Sequence, residues 1–147
     1  MIWSRRTRAV VAAVLLLISL IGCSQRASTR DDLRHALTAA HSAISSCLAA
    51  LDTYQRGRST RAATETVLDD MSAEIADAQR QLETVSIGTD ADRIERDMTA
   101  AVLDAGATAV LDARDGLQLH DTTGTRAALQ AAGADINRLL QQLGTGR

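Results

Sequence analysis

The chain of 147 residues contains no proline, no phenylalanine and no lysine, and it has only one tryptophan and one tyrosine. Proline interrupts helices more strongly than any other residue, so its absence leaves long helices open to every segment. The shortage of aromatic side chains argues against the stacking surfaces that sugar, base and aromatic-cage sites use. Any disulfide within the chain would have to join Cys23 to Cys47, because no third cysteine exists.

The first 23 residues have the three parts of an export signal. Residues 1–8 carry three arginines, and residues 9–20 form a nearly unbroken apolar run of alanine, valine, leucine and isoleucine. This run is shorter than the roughly 20 residues that a transmembrane helix needs, which favours a signal sequence over a membrane span. The segment ends in Leu20-Ile21-Gly22-Cys23.

The tetrapeptide Leu20-Ile21-Gly22-Cys23 resembles the lipobox of bacterial lipoproteins, in which a leucine, a small or β-branched residue and glycine or alanine precede the cysteine. The resemblance covers only the first 23 residues. It implies cleavage between Gly22 and Cys23, transfer of diacylglyceryl to the Cys23 thiol and acylation of the new amino terminus. Two or three acyl chains hold a protein firmly on a membrane where one does not. The alternative is an uncleaved signal anchor with a chance cysteine.

The residues before the apolar run bear on the export route, and the composition of the chain bears on its source class. Residues 4–7 resemble a twin-arginine signal, but Arg8 stands where that family prefers an aromatic residue, so ordinary Sec export is favoured. The absence of lysine and the abundance of alanine resemble small lipoproteins of actinobacteria, including mycobacteria. We therefore expect an exported protein, lipid-anchored to the outer face of the cytoplasmic membrane or elsewhere in the cell envelope.

Cleavage at Cys23 changes both the size and the charge of the chain. It leaves 125 residues, a normal size for one domain, and it reduces the arginines from 16 to 13 against 18 acidic residues. The formal charge moves from −2 to −5, which argues against nucleic acid or an anionic membrane surface as the main partner. We predict a signal peptide at 1–22, a lipidated N-terminus and tether at 23–28, and a helical domain at 29–147.

The mature chain is predicted to be helical almost throughout, with four segments separated by polar turns. We place helix one from a Thr29 cap to about Gln55, helix two from Ser59 or Thr60 to about Ile87, helix three from a cap at Thr89, and a visibly shorter helix four after the loop 118–124. A glycine at position 57 is available for a left-handed cap that ends helix one.

Apolar residues in these segments recur at alternating steps of four and three, the pattern of helices packed along one seam. The seams are, for helix one, Leu33, Leu37, Ala40, Ile44, Cys47, Leu51 and Tyr54; for helix two, Thr64, Leu68, Met71, Ile75, Ala78, Leu82 and Val85; and for helix four, Leu129, Ala132, Ile136, Leu139, Leu140 and Leu143. Short turns then favour an all-α, up-down four-helix bundle. The alternative is two antiparallel helical hairpins, opened into an elongated structure or paired with a second copy.

Helix three has a different pattern. It carries Ile94 and Met98 and then an apolar stretch over residues 100–113 that only Asp104, Thr108 and Asp112 interrupt, four residues apart. We expect these three to form one narrow polar stripe on a helix that is buried on most sides. Because alanine seams bury little area, the core should be thin.

The cysteine and histidine residues do not form a recognisable chemical site. Cys47 lies on the helix-one seam, where a free thiol acts as a small apolar group, although intermolecular pairing or redox reactivity remain open. His35 and His41 are six residues apart and so lie on different faces, and His120 is in a loop. We predict no metal site and no cofactor.

The acidic residues are placed as expected for the solvated faces of helices and do not form a recognisable site. Asp104 and Asp112 lie about 12 Å apart along a helix axis, too far to share a cation. Asp69 and Asp70 belong to an acidic face that could dock a basic partner. No Gly-rich nucleophile turn or phosphate-binding loop occurs, so we do not expect an enzyme.

The leading hypothesis is a membrane-anchored envelope lipoprotein whose bundle acts as a structural or protein-interaction module. Its partners would be membrane lipid, through acylated Cys23, and an envelope protein. The alternative is a carrier that holds a small molecule or a lipid within the bundle.

Overall fold

In the computed structural model, the backbone is described for residues 4–120 and 122–145, and the side chains are described from Thr29 onward within that range. This part of the chain forms four α-helices and no strand: α1 (Ser4–Gln55), α2 (Arg61–Glu83), α3 (Asp90–Gln118) and α4 (Thr123–Thr145). The predicted all-α class is confirmed.

The four helices pack into one bundle. Each helix contacts the next along the chain, and α4 returns to contact α1, which closes the bundle. Helix α1 also contacts α3, whereas α2 and α4 do not meet within the described residues, so α1 and α3 lie on the short diagonal. Gln55 at the end of α1 donates to the Thr122 hydroxyl just before α4, over 2.7 Å. These contacts confirm the predicted bundle and contradict the alternative of two opened hairpins.

The turn after α1 has the geometry predicted for it. Gly57 has a φ of 68°, in the left-handed region that favours glycine. Its N–H donates to the Tyr54 carbonyl over 2.8 Å, and the Arg58 N–H donates to the Thr53 carbonyl over 2.9 Å. This pair of hydrogen bonds is the Schellman motif, which satisfies carbonyls that the helix end would otherwise leave open.

Two of the three predicted N-caps are confirmed. The Thr60 hydroxyl accepts from the Ala63 N–H over 3.2 Å, and the Thr89 hydroxyl accepts from the Asp92 N–H over 3.1 Å. The predicted cap at Thr29 is wrong, because α1 is continuous from Ser4 through this position. A polar residue with acidic neighbours therefore does not mark a helix start when the preceding chain also favours a helix.

The lengths of α2 and α4 differ from the predictions. Helix α2 ends at Glu83 instead of Ile87, since the following residues Thr84, Val85 and Ser86 have lower helix propensities than those before them. Helix α4 has 23 residues, the same number as α2, so the prediction that it would be visibly shorter is wrong.

The predicted seams of α1, α2 and α4 form the core. All the seam residues of α1 from Leu33 to Leu51 are buried. In α2 the seam residues Met71 and Val85 are only partly buried, as are Tyr54 in α1 and Leu140 in α4. The other seam residues are buried. The 4–3 spacing therefore located the inward faces of three helices.

Helix α3 departs from its prediction, because it is buried on one face only. Its inward face carries Thr99, Leu103, Gly106, Ala109, Val110, Ala113, Gly116 and Leu117. Its outward face exposes Ile94 and Met98, at 61% and 44% of their surface, and Leu111 is also exposed. Ala101 and Ala105 are exposed as well. Alanine leaves little apolar surface in water, so an apolar stretch rich in alanine does not require burial on most sides.

The centre of the core is packed closely around two glycines. A Cβ added at Gly133 would lie 3.3 Å from Ile44 Cγ2, and one added at Gly106 would lie 3.8 Å from Ile136 Cδ1. The absence of these side chains lets the two isoleucines fill the space between helices. The middle of the bundle is therefore filled by side chains from α1 and α4.

Candidate functional site

The predicted cleavage and lipidation residues lie outside the described side chains. Gly22 and Cys23 precede Thr29, where the side-chain description begins, and so does the predicted tether at 23–28. Cleavage and acylation therefore stay predictions. Among the residues that the structure describes, none of the helices is both long enough and apolar enough to span a membrane.

The end of the bundle nearest to Cys23 is held by contacts from α1 to the turn between α2 and α3 and to the start of α3. The Thr29 hydroxyl donates to the Ser86 carbonyl over 3.0 Å. Arg30 makes a two-point contact with Glu95, from Nε to Oε2 over 3.0 Å and from Nη2 to Oε1 over 2.6 Å. The hydrogen bonds and the charge of Glu95 raise the pKa of the Arg30 guanidinium above its ordinary value. We call this region, comprising Thr29, Arg30, Ser86 and Glu95, the anchor end.

Cys47 is in the core, as predicted. Its side chain is fully buried, and burial raises the pKa of its thiol to about 11. A thiol in such surroundings is almost entirely protonated at neutral pH, and the protonated form is a poor nucleophile and metal ligand. Cys47 is therefore a packing residue in this conformation.

The three histidines lie in different surroundings and do not share one site. His35 is exposed and lines a groove of about 360 Å³ between α1 and α2, whose walls include Ser42, Met71 and Glu74. His41 is half-buried, and His120 is exposed in the turn after α3 with a φ of 60°. In the part of the chain with described side chains, no three residues among histidine, cysteine, aspartate and glutamate are grouped so that they could hold a metal ion.

Two of the acidic residues singled out in the sequence join α2 to α3. Asp69 forms an ion pair with Arg114 over 3.0 Å, and Asp104 accepts a hydrogen bond from Gln79 over 2.7 Å. Asp70 and Asp112 are exposed, as predicted for a solvated face. The partners of Asp69 and Asp104 lie on another helix, so their identity depends on the helix register and no local pattern could predict it.

The exposed apolar residues of α3 form a row that the sequence analysis missed. Ile94, Met98, Ala101 and Ala105 follow one another at steps of four, three and four, which places them on one face of the helix. We call these four residues the outer α3 face. The signal was present, since the same spacing identified the inward seams, but one helix can carry two such seams and only the inward one packs in the core.

A groove between α2 and α3 borders the outer α3 face. It has a volume of about 470 Å³ and is lined by Gln79, Leu82, Glu83, Arg96, Asp97, Ala100 and Asp104. Leu82 and Ala100 provide its apolar lining, and Arg96 pairs with Asp97 over 2.9 Å. Three carboxylates and one guanidinium give this α2/α3 groove a formal charge of −2. An apolar lining with a negative rim suits a long aliphatic side chain that ends in a cation.

Comparison with known proteins adds no family assignment. The chain matches no protein-family model, no curated protein and no solved structure.

Proposed function

We propose that the chain is a cell-envelope lipoprotein, exported and anchored by acylated Cys23, whose helical bundle acts as a structural or protein-interaction module. The observation that carries the proposal is Leu20-Ile21-Gly22-Cys23 at the end of a short apolar run behind three arginines. The proposal assigns the module no catalytic role. Its partner is an envelope protein and not nucleic acid, in keeping with the formal charge of −5 after cleavage.

The distance between the anchor and the bundle supports this role. Five residues lie between Cys23 and Thr29, and the six steps from one to the other span at most about 20 Å when fully extended and about 9 Å when helical. The anchor end would then lie close to the lipid headgroups. The ion pair between Arg30 and Glu95 would limit how far the bundle can turn about the point where α1 enters it. An anchored bundle of this kind offers its sides to proteins at the membrane surface.

Exposure of the outer α3 face supports an interaction role over the lipid-carrier alternative. Ile94 and Met98 keep about half of their surface in water, whereas the isoleucines at the centre of the core are buried. The close approach of Ile44 to Gly133 and of Ile136 to Gly106 leaves the middle of the bundle filled. A carrier would need space there for an acyl chain or another ligand.

The two cysteines provide a matched pair of variants that tests the anchor. Cells that produce the chain are grown with an alkyne fatty acid, and the purified protein is assayed for label and for removal of residues 1–22. We expect Cys47→Ala to be labelled and processed like the unaltered chain, and Cys23→Ala to be unlabelled and uncleaved. Equal labelling of the Cys23→Ala chain, or no labelling of the unaltered chain, would refute the proposed anchor.

Crosslinking in intact cells tests the interaction role. A photoreactive amino acid is placed at one exposed position on each helix: Ser42 on α1, Asp70 on α2, Met98 on α3 and Arg138 on α4. We expect at least one position to crosslink an envelope protein, and the crosslink to be lost when Cys23→Ala prevents anchoring. If no position crosslinks to a protein, the interaction role is wrong.

A further inference from the structure

The outer α3 face is an apolar strip of limited size. Ile94 and Met98 are its two large residues, and Ala101 and Ala105 continue the strip along about 16 Å of helix. The 4–3 spacing is the spacing that a second helix meets when it packs along a seam. The two alanines allow close approach but contribute little apolar area. A partner helix would therefore need a further source of affinity beside the strip.

Acidic residues along one edge of the strip provide that source. Asp90, Asp97 and Asp104 are seven residues apart, so they occupy equivalent positions beside the apolar seam. All three are exposed. Asp90 pairs with Arg93 over 3.7 Å and Asp97 pairs with Arg96 over 2.9 Å, so three carboxylates and two guanidiniums leave this edge with a formal charge of −1. In paired helices these flanking positions select the partner by charge, and an acidic edge favours arginine or lysine opposite it.

The α2/α3 groove lies on the same side as this acidic edge, since Asp97 and Asp104 line it. A long basic side chain from a helix on the strip would enter the groove with its aliphatic part against Leu82 and Ala100. Its charged end would then meet the carboxylates at the rim, including Glu83. The formal charge of −2 already counts Arg96, which pairs with Asp97, so two carboxylates remain unbalanced by a cation of the groove.

From these features we infer that the outer α3 face and the α2/α3 groove bind a basic amphipathic helix of another protein, which places apolar residues on Ile94 and Met98 and an arginine or lysine in the groove. The inference deepens the proposed interaction role and rests on it.

A second copy of the chain fits this face poorly. In an antiparallel pair the edge with Asp90, Asp97 and Asp104 would meet the same edge of its copy. In a parallel pair it would meet the opposite edge, which begins with Glu95. The antiparallel arrangement brings acidic side chains together, which is unfavourable. The parallel arrangement places the acidic edge against Glu95, which already pairs with Arg30, and Val102, so neither pair places an arginine opposite this edge. An anionic membrane surface is disfavoured because it would be repelled by the acidic edge.

The test measures binding of two synthetic helices to the full chain in non-ionic detergent micelles, with empty micelles as background. Both probes have about 15 residues with leucine at heptad positions a and d. One has arginine at positions e and g, and the other has glutamate there. We expect the arginine probe to bind at least about tenfold more tightly than the glutamate probe, and its affinity to fall several-fold between about 20 mM and about 300 mM salt.

Substitutions identify the face that binds. The pair Ile94→Gln and Met98→Gln should weaken the arginine probe about tenfold or more, because the leucines of the probe lose their apolar contacts. The pair Asp97→Asn and Asp104→Asn should weaken it about threefold to fivefold and reduce its salt dependence. Two controls, Asp70→Asn on the far side of α2 and Leu119→Gln beyond the end of α3, should stay within about twofold of the unaltered chain.

The inference is overturned if neither probe binds at low salt, if the glutamate probe binds as tightly, or if the Ile94 and Met98 substitutions leave affinity unchanged. Circular dichroism of each variant checks that the helices persist. Failure here is distinguishable from failure of the proposed function. A chain that is acylated at Cys23 and crosslinks through another face keeps its interaction role and loses only this binding face.

Discussion

Helices α1 and α3 face each other across the short diagonal of the bundle, yet they use their apolar residues differently. In α1 the seam from Leu33 to Leu51 is entirely buried. In α3 the inward face is built largely from small or polar residues, while Ile94 and Met98 point to solvent. The comparison shows that α1 is committed to the core, whereas α3 carries a second apolar surface that the fold does not use.

The small residues on the inward face of α3 explain how this helix can pack in the core while its large apolar residues point to solvent. Gly106 faces Ile44 of α1 and Ile136 of α4. A Cβ added at Gly106 would lie 3.9 Å from Ile44 Cδ1 and 3.8 Å from Ile136 Cδ1. Large side chains on α1 and α4 therefore pack against the backbone of α3. Because α3 needs few large residues inside, those it has outside are not required for the core.

Two isoleucines test this difference most strongly. Ile44→Ala should lower the free energy of unfolding by about 2–5 kcal/mol, because it leaves a cavity at the centre of the core. Ile94→Ala should change it by no more than about 0.5 kcal/mol, because this side chain is 61% exposed. Chemical denaturation of the two variants measures both values. A loss of several kcal/mol for Ile94→Ala would show that the outer α3 face is part of the core.

The alkylation rate of the Cys47 thiol measures how well the α1 seam is shielded from solvent. Its pKa of about 11, against an ordinary value of 9.0, lowers the thiolate fraction at pH 8 about 100-fold. In a Cys23→Ala chain, where Cys47 is the only thiol, we expect alkylation at pH 8 to be at least about 100-fold slower than in denaturant. Rapid alkylation of the folded chain would contradict a buried thiol.

The same group predicts a pH dependence of stability. The folded-state pKa lies above the unfolded value, so the contribution of Cys47 is complete below about pH 9 and is lost as the pH rises towards 11. A Cys47→Ala variant should lose less stability over this interval than the chain with Cys47. Denaturation midpoints measured at intervals from pH 8 to about pH 11 would reveal the difference.

Substitutions of the two core glycines should have the smallest effects on stability, and they test how closely α3 and α4 approach α1. Gly106→Ala should stabilise the protein by about 0.5–1 kcal/mol, because alanine favours a helix and its Cβ would make ordinary contacts at 3.8 Å and 3.9 Å. Gly133→Ala should gain less or lose stability, because its Cβ would lie only 3.3 Å from Ile44 Cγ2. Thermal unfolding of both variants checks the order. The reverse order would mean that α3, not α4, makes the tighter approach to α1.

Much of the fold could be predicted from local pattern. The caps at Thr60 and Thr89 and the left-handed Gly57 depend on neighbours in sequence, and each is found as predicted. The seams of α1, α2 and α4 were also visible, because each helix has a single row of large apolar residues. Thr29 failed as a cap because capping sequences report only a local preference, which a favourable preceding helix can override.

The outer α3 face was harder to predict than the fold. Apolar spacing on α3 supports two seams, and nothing local decides which of them meets the other helices. Pairing of Asp69 with Arg114 and of Asp104 with Gln79 depends on the register between α2 and α3, which arises only when the whole bundle is packed. Charge and hydropathy show which residues are apolar or charged, but only the packing of the bundle determines which of them stay exposed.

The most direct test of the central claim is a mass spectrum of the N-terminal peptide of the protein isolated from membranes. We predict a peptide that begins at Cys23, with residues 1–22 absent and the mass of a diacylglyceryl group, with or without a further acyl chain, on this cysteine. An unmodified Cys23 within an uncleaved chain would contradict the account.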